Sequence, residues 1–365
     1  MPVIDELLKI PPFSLDGTEK QNVFFPALLE TMQFHLKSSL SYRKWCESNN
    51  FKTEASANIV ELPFVPVEVF KEFDLITVKE NEIVDIRHSS STSSGIPSLV
   101  KRDPITLKRY SQSRNAVLDS FCPNSHKIQI GVIEDPEKNP NRHLSANLVV
   151  SVMASRAGQG QTHYIAVNNN GKVQVDVDRF LKLLEQHGDR ISLIFGHTAY
   201  IYLFLIEVLR SRNIKLNLSN TTMLFGWGWK KYKDQAVPMH IFRKGITDIL
   251  SIPTHSILDM YGFAESNTLY LECSEGFRHV PLWEEVIVRC PKTLTPIGHG
   301  KEGLLQFLSP IPNSYAGSSV LVDDIGISYH GRSSCECGRK GSRFKVIRRA
   351  NAEEVIALKK LKEGF

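Results

Sequence analysis

A run of hydroxyl side chains between His88 and Ser98 is the stretch of this 365-residue sequence best suited to binding a ligand. Five serines and one threonine precede Gly95, so side-chain hydroxyls and backbone N–H groups can converge on a polyphosphate. Apolar, strand-like residues flank the run at 83–86 and 99–100, as in a phosphate-binding turn between two strands. Glycine is sparse and no Walker pattern is present, so a flexible serine-rich linker explains the run equally well.

Two segments that follow predicted strands supply further polar and glycine-rich groups. Residues 226–230 (Gly-Trp-Gly-Trp-Lys) come after an apolar run at 222–225, and residues 261–265 (Tyr-Gly-Phe-Ala-Glu) come after another at 256–260. In parallel sheets, ligands bind beyond the carboxyl ends of the strands, and a carboxylate such as Glu265 approaches a polyphosphate through Mg²⁺. In the simpler interpretation of residues 226–230, the glycines are turn residues with the two tryptophans packed beneath them. In the simpler interpretation of residues 261–265, Glu265 begins a helix.

Two pairs of metal-ligating side chains, Cys273 with His279 and Cys335 with Cys337, have the composition of a structural zinc site. Three thiolates and one imidazole suit tetrahedral Zn²⁺ and leave no open position for catalysis. Buried reduced cysteines and a surface histidine are the alternative. The other cysteines have no partner in the sequence and are expected in the core: Cys46, Cys122 and Cys290.

The elements that must position these groups are predicted from hydrophobic periodicity. Helices are predicted at 24–36, at 40–46 and, with Asp103 or Thr106 available as a cap, from there to 118. In the middle of the chain, buried strands at 127–133, 191–195, 222–225 and 256–260 alternate with helices at 144–154, 177–186, 197–212 and 241–250. This alternation predicts an α/β fold with doubly wound, mostly parallel sheets and helices on both faces.

The same pattern predicts four parts along the chain. These are an N-terminal helical layer (1–60), an α/β nucleotide- and acyl-binding core (61–270), a smaller β-rich subdomain with the zinc site (271–349) and a short tail (350–365).

Composition indicates a soluble globular protein, with 42% hydrophobic and 23% charged residues. The net charge of +5 is spread along the chain without a basic stripe, which argues against nucleic-acid binding and fits an anionic small ligand. The first residues lack the basic region of a secretory signal, and the most apolar helix candidate, 200–209, is short and contains Glu207. We therefore expect neither export nor a membrane span, and a reducing cytoplasm as the location.

The order of the ligand-binding segments resembles the motif series of the adenylate-forming, acyl-CoA synthetase-like superfamily. The matching segments are residues 90–98, 225–229, 261–265 and 323–326. Within this superfamily the sequence looks most like the acyl-protein synthetases of the bacterial bioluminescence fatty-acid reductase, with the phenylacetate-CoA ligases as neighbours. Residues 63–71 and 229–230 favour the acyl-protein synthetases. The resemblance begins near residue 62 and implies the large domain of an adenylate-forming enzyme.

The resemblance implies a role for each matching residue. The hydroxyl-rich loop would wrap the β- and γ-phosphates of ATP, Glu265 would hold Mg²⁺, and Asp324 would hold the ribose hydroxyls. The glycine segment and the tyrosine would border the adenine. The implied ATP contacts are Ser91, Thr92, Ser93, Ser94, Gly95, Gly226, Trp227, Gly228, Tyr261, Gly262, Asp324 and Arg349. Similar cysteine and histidine placements in some phenylacetate-CoA ligase-like proteins favour zinc for the four metal-ligating residues.

Several departures from the family pattern bear on activity. Thr92 and Ile96 stand where the family usually has glycine and often lysine, and Ala264 replaces a common threonine. Only sixteen residues follow Arg349, at the place of the family's hinge. The C-terminal lid domain and its catalytic lysine are therefore expected to be absent, unless a partner or one of the last three lysines substitutes. The acyl-protein synthetases carry an acceptor cysteine near the C-terminus, whereas the last cysteine here is Cys337, so self-acylation is not expected.

The resemblance implies an acid–thiol ligase that uses ATP to convert a fatty or aryl carboxylic acid to an acyl-adenylate. The acyl group would pass to a thiol on an acyl-accepting protein, either a carrier protein or an acyl-reductase subunit. The alternatives are a turnover-deficient nucleotide- or acyl-binding subunit of the same fold and a zinc-stabilised nucleotide-binding scaffold. The acyl pocket is expected at 196–209, where His197 is interpreted as a helix cap in preference to a contact with the carboxylate.

Overall fold

The computed structural model describes residues 2–51, 58–89, 96–123, 127–138, 144–158, 160–169, 172–330 and 335–362. Ser91, Thr92, Ser93, Ser94 and Gly95 lie outside the described residues, so the phosphate-loop interpretation stays a prediction. Internal contacts divide the chain into two compact units. Unit 1 comprises Met1–Val117, Gly262–Tyr270 and Glu275–Phe365, and unit 2 comprises Leu118–Tyr261 and Leu271–Ser274. The four-part division also stays a prediction.

The first part of the chain is mainly helical. Its helices are α1 (Val3–Leu7), α2 (Gly17–Ser38), α3 (Leu40–Ser48) and α4 (Pro104–Phe121), and its strands are β1 (Val65–Pro66), β2 (Asp85–His88) and β3 (Leu99–Arg102). Strands β2 and β3 pair antiparallel and bracket the serine run. The Asp103 Oδ1 atom accepts a hydrogen bond from the Thr106 backbone N–H (2.8 Å), which confirms the predicted cap of α4.

A seven-stranded sheet forms the centre of unit 2. Its strands are β4 (Ile128–Glu134), β5 (Thr162–Asn169), β6 (Lys172–Val175), β7 (Ile191–His197), β8 (Thr222–Gly226), β9 (Ile257–Tyr261) and β10 (Tyr270–Leu271), in the spatial order β10-β9-β8-β7-β4-β5-β6. The pairs β5–β4, β4–β7, β7–β8 and β8–β9 are parallel, and β5–β6 is antiparallel. All seven residues of β7 are buried, as expected where both faces of a parallel sheet are covered.

The helices of unit 2 largely agree with the periodicity. They are α5 (Ser145–Ala157), α6 (Val177–His187), α7 (Glu207–Ser211) and α8 (Met239–Leu250). Asp176 caps α6 by accepting from the Arg179 N–H (2.8 Å), and Gly188 ends it with φ +51°, as predicted. The helix predicted at 197–212 is present over residues 198–211. Its middle part, Tyr200–Ile206, is π-helical and leads directly into α7.

The core of unit 2 consists of apolar side chains from the sheet and from these helices. Phe180 of α6, Leu205 of the π-helical segment and Phe242 of α8 are fully buried with strand residues such as Ile194 and Met223. Burying a side chain of this size contributes about 1.5–3 kcal/mol. The carboxyl ends of the parallel strands are therefore held by a well-packed core.

A second, six-stranded sheet belongs to unit 1. It contains β11 (Arg278–His279), β12 (Glu285–Arg289), β13 (Gly303–Leu308), β14 (Ser319–Tyr329) and β15 (Arg343–Arg349), in the order β11-β15-β14-β13-β12, with β1 parallel to β14. The last described helix, α9 (Ile356–Lys362), packs Leu358 against Phe64, Leu304 and Leu321. The mixed α/β class is thus confirmed. Among the described residues, no helix has the length and apolar character needed to span a membrane.

Candidate functional site

Glu265 is a buried carboxylate in unit 1, only 2% exposed. Its burial raises the pKa of its carboxyl group, against the opposing effects of a hydrogen bond from the Ser98 hydroxyl and of the charges on Arg102 and Lys71. Its Oε1 atom is buried without a hydrogen-bond partner among the described residues. The last hydroxyl of the serine run therefore contacts the predicted Mg²⁺ ligand, and one carboxylate oxygen is available to a cation or donor.

Two buried arginines hold the segment around Glu265. The Arg102 Nη2 atom donates to the Ala264 carbonyl oxygen (2.8 Å), and Arg114 Nη2 donates to the Ser266 carbonyl oxygen (3.4 Å). Both guanidinium groups lie over the ring of Tyr110, at 5.2 and 4.1 Å from its centroid. Arg102 also lies 3.6 Å from Asp85 of β2. The charges of Arg102 and Lys71 offset part of the cost of burying the Glu265 carboxylate.

Two polar side chains fix the backbone of the same segment. The Tyr315 hydroxyl donates to the Glu265 carbonyl oxygen (3.0 Å), and the Asn267 amide donates to that oxygen and to the Tyr315 hydroxyl (3.2 and 2.6 Å). Ser113 donates to the Asn267 carbonyl oxygen (2.6 Å). The turn that carries Glu265 is therefore rigidly hydrogen-bonded, as a preorganised ligand requires.

Asp324 and Arg349, both predicted to contact ATP, lie opposite each other on β14 and β15 of unit 1. Arg349 Nη1 lies 3.2 Å from Asp324 Oδ1 and also donates to Asp323. The Arg349 side chain is 60% exposed, and that of Asp324 is 13% exposed. The structure brings these two residues together, although their roles towards a nucleotide stay predictions.

The predicted adenine-binding residues Gly226, Trp227, Gly228 and Tyr261 belong to unit 2. A Cβ atom at Gly226 would lie 3.1 Å from the Met260 carbonyl oxygen, so the close approach of two strand ends favours glycine there. Trp227 has φ +59° and is followed by Gly228 with φ +65°. A left-handed tryptophan is unusual, and such strain concentrates at functional sites.

The last predicted nucleotide contact, Gly262, belongs to unit 1. It has room for a side chain, since the nearest atom to a built Cβ is the Thr268 carbonyl oxygen at 3.9 Å. Local crowding therefore does not explain the glycine.

His197 is the last residue of β7, directly before the helical residues 198–199, and is 8% exposed, so its interpretation as a helix cap stays a prediction. Its ring lies between those of Tyr200 (4.7 Å between centroids) and Trp227 (5.1 Å). Burial and, to a smaller extent, the charge of Lys230 lower the pKa of His197 to about 3, so the imidazole is neutral. It is part of an aromatic cluster at the strand ends.

The four predicted zinc ligands come together. The Sγ atoms of Cys273, Cys335 and Cys337 and a ring nitrogen of His279 all lie within 4.8 Å of one another. Gly338, with φ +84°, completes the turn after Cys337, and its N–H bonds the Cys335 carbonyl oxygen (2.8 Å). Burial and the charges of Arg339 and Arg343 lower the pKa of His279 to about 3, so its imidazole is neutral. The group has the donors and the compactness of a tetrahedral metal site.

Cysteines outside this group divide between the core and the surface. Cys46 and Cys122 are buried, as predicted. The prediction for Cys290 is wrong, because this residue is only partly buried, where the hairpin between β12 and β13 begins. Hydrogen bonds from Thr293 and from the Lys292 backbone lower the pKa of the Cys290 thiol.

Sequence reasoning missed the residues that support Glu265. Arg102 and Arg114 are charged, so their residue type predicts a surface position. Asn267 and Tyr315 lie outside any motif, so the sequence predicts no role for them. The one available signal was that Asn267 follows Glu265 by two residues.

Comparison with known proteins identifies relatives over most of the chain. A "Long-chain-fatty-acid–luciferin-component ligase" from Vibrio harveyi is 28% identical over 326 residues, which is 87% of this chain and 81% of the relative. A protein of the same name from Aliivibrio fischeri is 25% identical over 333 residues, covering 89% of this chain and 84% of the relative.

Solved structures and a family model complete the comparison. Two crystal structures of 2-hydroxyisobutyryl-CoA ligase have TM-scores of 0.69 and 0.68 at 14% identity, cover 92% of this chain and 69% and 76% of the ligase chains, and share its fold. The family model for the acyl-protein synthetase LuxE matches residues 2–360. Because this match spans nearly the whole sequence, the chain belongs to the LuxE family of acyl-protein synthetases and is an enzyme of the acid–thiol ligase type.

Proposed function

We propose that the protein uses ATP and Mg²⁺ to convert a long-chain fatty acid to its acyl-adenylate and then passes the acyl group to a thiol of a partner protein. The names of the Vibrio harveyi and Aliivibrio fischeri relatives supply the class of acid. In the first step the fatty carboxylate attacks the α-phosphorus of ATP and displaces pyrophosphate. The task of the protein is to position the reactants and to neutralise charge.

The observation that carries this proposal is the buried carboxylate of Glu265 at the end of the serine run. Its Oε1 atom has no hydrogen-bond partner among the described residues, and its environment contains Ser98 and Arg102. An anionic oxygen held in this way fits Mg²⁺, which prefers one or two carboxylates together with phosphate oxygens. Mg²⁺ would supply neutralisation of the phosphate charge. Arg102, Tyr315 and Asn267 would keep the Glu265 segment fixed.

The other nucleotide contacts are proposed for the roles that family membership suggests. Ser91, Thr92, Ser93, Ser94 and Gly95 would hold the β- and γ-phosphates, and Asp324 would hold the ribose hydroxyls. Arg349 would contact ATP at the place of the family's hinge. Gly226, Trp227, Gly228, Tyr261 and Gly262 would border the adenine. The left-handed Trp227 and the steric requirement at Gly226 support a functional role for the glycine segment.

Acid-dependent ATP–pyrophosphate exchange tests the first step. Wild-type protein should catalyse exchange with long-chain fatty acids and Mg²⁺, and Glu265→Gln should lower the rate by at least about 100-fold, as expected for loss of an essential charged ligand. Glu302→Gln, an exposed glutamate of the same unit, is the matched control and should behave as wild type. Normal exchange by Glu265→Gln would contradict the Mg²⁺ assignment. Absence of exchange with every acid would favour the turnover-deficient binding subunit.

We also propose that Cys273, His279, Cys335 and Cys337 hold one structural Zn²⁺. Atoms bound to the same zinc lie within about 4 Å of each other, because each Zn–S or Zn–N bond is about 2.0–2.3 Å long. The four donor atoms lie within 4.8 Å of one another, so only small side-chain movements would bring them to the distances of a zinc site. The ion would supply a cross-link between the loop at 273–279 and the turn at 335–338.

Elemental analysis of protein purified without chelators tests this site and should find about one zinc per chain. Cys335→Ser should lower both the zinc content and the unfolding temperature. Cys290→Ser, which changes a cysteine outside the group, should retain zinc. Metal-free wild-type protein would discard the proposal.

The acyl acceptor is proposed to be a thiol of another protein, such as a carrier protein or an acyl-reductase subunit. A nucleophilic cysteine must be accessible and ionised. Cys46 is fully buried, its pKa is raised to about 12 by burial, and three other cysteines belong to the metal-ligating group. Incubation with ATP, Mg²⁺ and labelled fatty acid should leave no hydroxylamine-sensitive label on the chain. A stoichiometric label on Cys46, Cys122 or Cys290 that the corresponding change to serine abolishes would overturn this proposal.

A further inference from the structure

The loop between β13 and β14 carries two consecutive buried residues, Ser314 and Tyr315, which are 0% and 3% exposed. The Ser314 hydroxyl donates to the Lys101 carbonyl oxygen (2.9 Å) on β3, the strand that leads out of the serine run. The Tyr315 hydroxyl donates to the Glu265 carbonyl oxygen (3.0 Å). Adjacent residues of one loop therefore hold the segment after the serine run and the segment with the proposed Mg²⁺ ligand.

Arg102, the residue after Lys101, closes this arrangement. Its Nη2 atom donates to the carbonyl oxygen of Ala264, which directly precedes Glu265 (2.8 Å). Each of three dipeptides is therefore joined to the other two by one side-chain hydrogen bond. These dipeptides form a three-sided frame within unit 1, and they are 101–102, 264–265 and 314–315.

The Ser314 side chain has one consistent set of hydrogen bonds. Because a carbonyl oxygen only accepts, the Ser314 hydroxyl proton is directed at Lys101, and the Thr106 hydroxyl donates to Ser314 Oγ (3.0 Å). Ser314 Oγ also accepts from the Asp103 N–H (3.1 Å). Thr106 Oγ1 accepts from the N–H groups of Asn313 and Ser314 (2.9 and 3.1 Å). Both hydroxyls thus use their single donor, which fixes the loop against β3 and the first turn of α4.

We propose that Ser314 and Tyr315 are positioning residues that set the distance between the end of the serine run and Glu265. This inference rests on the proposed role of Glu265 in Mg²⁺-dependent adenylate formation. Mg²⁺ demands near-ideal octahedral geometry with bonds of about 2.0–2.1 Å, so a carboxylate and phosphate oxygens can share the ion only if their spacing is fixed. Neither the motifs nor the family membership assigns this role to the loop.

The geometry of the frame explains why one loop can have this effect. A three-sided frame keeps its shape while all three sides are intact, whereas two sides joined at one corner can open like a hinge. The side at 314–315 depends on two hydroxyl groups that bond backbone carbonyls. Each hydroxyl can therefore be removed without changing a side chain of the serine run or Glu265 itself.

Acid-dependent pyrophosphate exchange tests the effect on the reaction. Ser314→Ala and Tyr315→Phe each remove one hydroxyl and should each lower kcat about tenfold, because small misplacements of reacting groups are costly. The KM for the fatty acid should stay close to that of wild type, since the frame does not contact the acid. A wild-type kcat in both variants would overturn the proposal.

Ser318→Ala is the matched control. Ser318 lies in the same loop, is 1% exposed and bonds His35 of α2 through its hydroxyl (3.0 Å), outside the frame. Ser314→Ala and Ser318→Ala should both lower the unfolding temperature, because each loses a buried hydrogen bond, but only Ser314→Ala should lose kcat. An equal loss of kcat in Ser318→Ala would assign the effect to general stability and contradict a positioning role.

The double variant Ser314→Ala with Tyr315→Phe tests whether both hydroxyls belong to one side of the frame. Breaking the same side twice should do little more than breaking it once, so kcat should remain about tenfold below wild type. A decrease of about a hundredfold, the product of the single effects, would mean that the two residues act independently and would refute the frame.

Backbone amide hydrogen exchange of the full chain tests the frame without activity. Ser314→Ala should accelerate exchange several-fold at 262–268, a segment that Tyr315 bonds and the Ser314 side chain does not, whereas Ser318→Ala should leave it unchanged. Unchanged exchange at 262–268 in Ser314→Ala would overturn the frame. Transmitted acceleration in a protein that lacks pyrophosphate exchange would contradict the proposed function alone, so the two failures can be told apart.

Discussion

Glu284 and Glu285 are neighbours in the chain, yet their surroundings give them opposite charge states. Burial raises the pKa of Glu284 to about 8, whereas the pKa of Glu285 is lowered to about 2. The Glu285 side chain is 13% exposed, and Lys20 Nζ lies 3.1 Å from its Oε2 atom and His330 Nδ1 lies 3.6 Å from its Oε1 atom. Both carboxyl groups lose water, and only Glu285 gains a close cation. A close cation, together with hydrogen bonds from His330 and the Val286 N–H, therefore outweighs the effect of burial on the pKa of Glu285.

This difference separates a structural region from a site region. The Lys20–Glu285 ion pair joins α2 to β12 and requires both charges. Glu284 instead has the hydroxyls of Tyr270 and Ser309 as hydrogen-bond partners and lines the same small cavity as Glu265. Two adjacent positions thus differ in the sign of their pKa shifts, and substitutions at each should affect stability in different pH ranges.

The largest effect is expected on stability, when one member of the Lys20–Glu285 ion pair is replaced by an uncharged residue. Lys20→Met leaves Glu285 as a buried charge whose other partner is the half-exposed His330, and should lower the free energy of unfolding by about 3–5 kcal/mol. Denaturant titration at neutral pH measures this change.

The double variant Lys20→Met with Glu285→Gln removes both charges and should recover much of the lost stability. A loss below about 1 kcal/mol in the single variant would mean that the pair behaves as an exposed one, and the contrast with Glu284 would then not hold.

The pH dependence of stability should differ in sign between the two glutamates. Glu284 has a folded pKa raised from 4.5, so its contribution is fully present below pH 4.5 and is lost as pH rises to about 8. Glu285 has a folded pKa lowered from 4.5, so its contribution is present above pH 4.5 and is lost as pH falls towards 2. Each slope is at most about 1.4 kcal/mol per pH unit.

Unfolding free energies measured from pH 3 to pH 9 check these slopes. Glu284→Gln should be less sensitive to pH than wild type between pH 5 and pH 8, and Glu285→Gln should be less sensitive below pH 4.5. Parallel curves for wild type and Glu284→Gln would show that Glu284 is already ionised in the folded protein.

Such charge states could not be read from the sequence, although much of the architecture could. The caps at Asp103 and Asp176 and the stop at Gly188 depend on local geometry, so they were predictable. The grouping of Cys273, His279, Cys335 and Cys337 was suggested by the donor types and favoured by the family resemblance. Long-range contacts carry no local signal.

Three features of the structure illustrate that limit. The contact of Arg102 with Ala264 joins residues 162 positions apart. The π-helical segment at Tyr200–Ile206 and the only partial burial of Cys290 likewise follow from tertiary packing, which overrides the local hydrophobic pattern.

A second pair of neighbouring acids, Asp323 and Asp324, lacks the contrast and gives the smallest expected effects. Arg349 contacts both carboxylates, so their charge states cannot distinguish them. The proposed ribose contact distinguishes the two acids, because only Asp324 is proposed to bind the ribose hydroxyls of ATP. Asp324→Ala should weaken ATP binding by about 1.5–3 kcal/mol, the usual cost of losing a hydrogen bond to a charged group.

Asp323→Ala is the matched control, since it removes one partner of Arg349, whose side chain is 60% exposed, and leaves Asp324 in place. Breaking such an exposed ion pair costs about 0–1 kcal/mol, so ATP affinity should change little. Calorimetric titration with ATP and Mg²⁺ measures both variants. An unchanged affinity in Asp324→Ala together with a loss in Asp323→Ala would move the ribose contact to the neighbouring residue. Equal small losses in both would assign these acids to holding Arg349 rather than to the nucleotide.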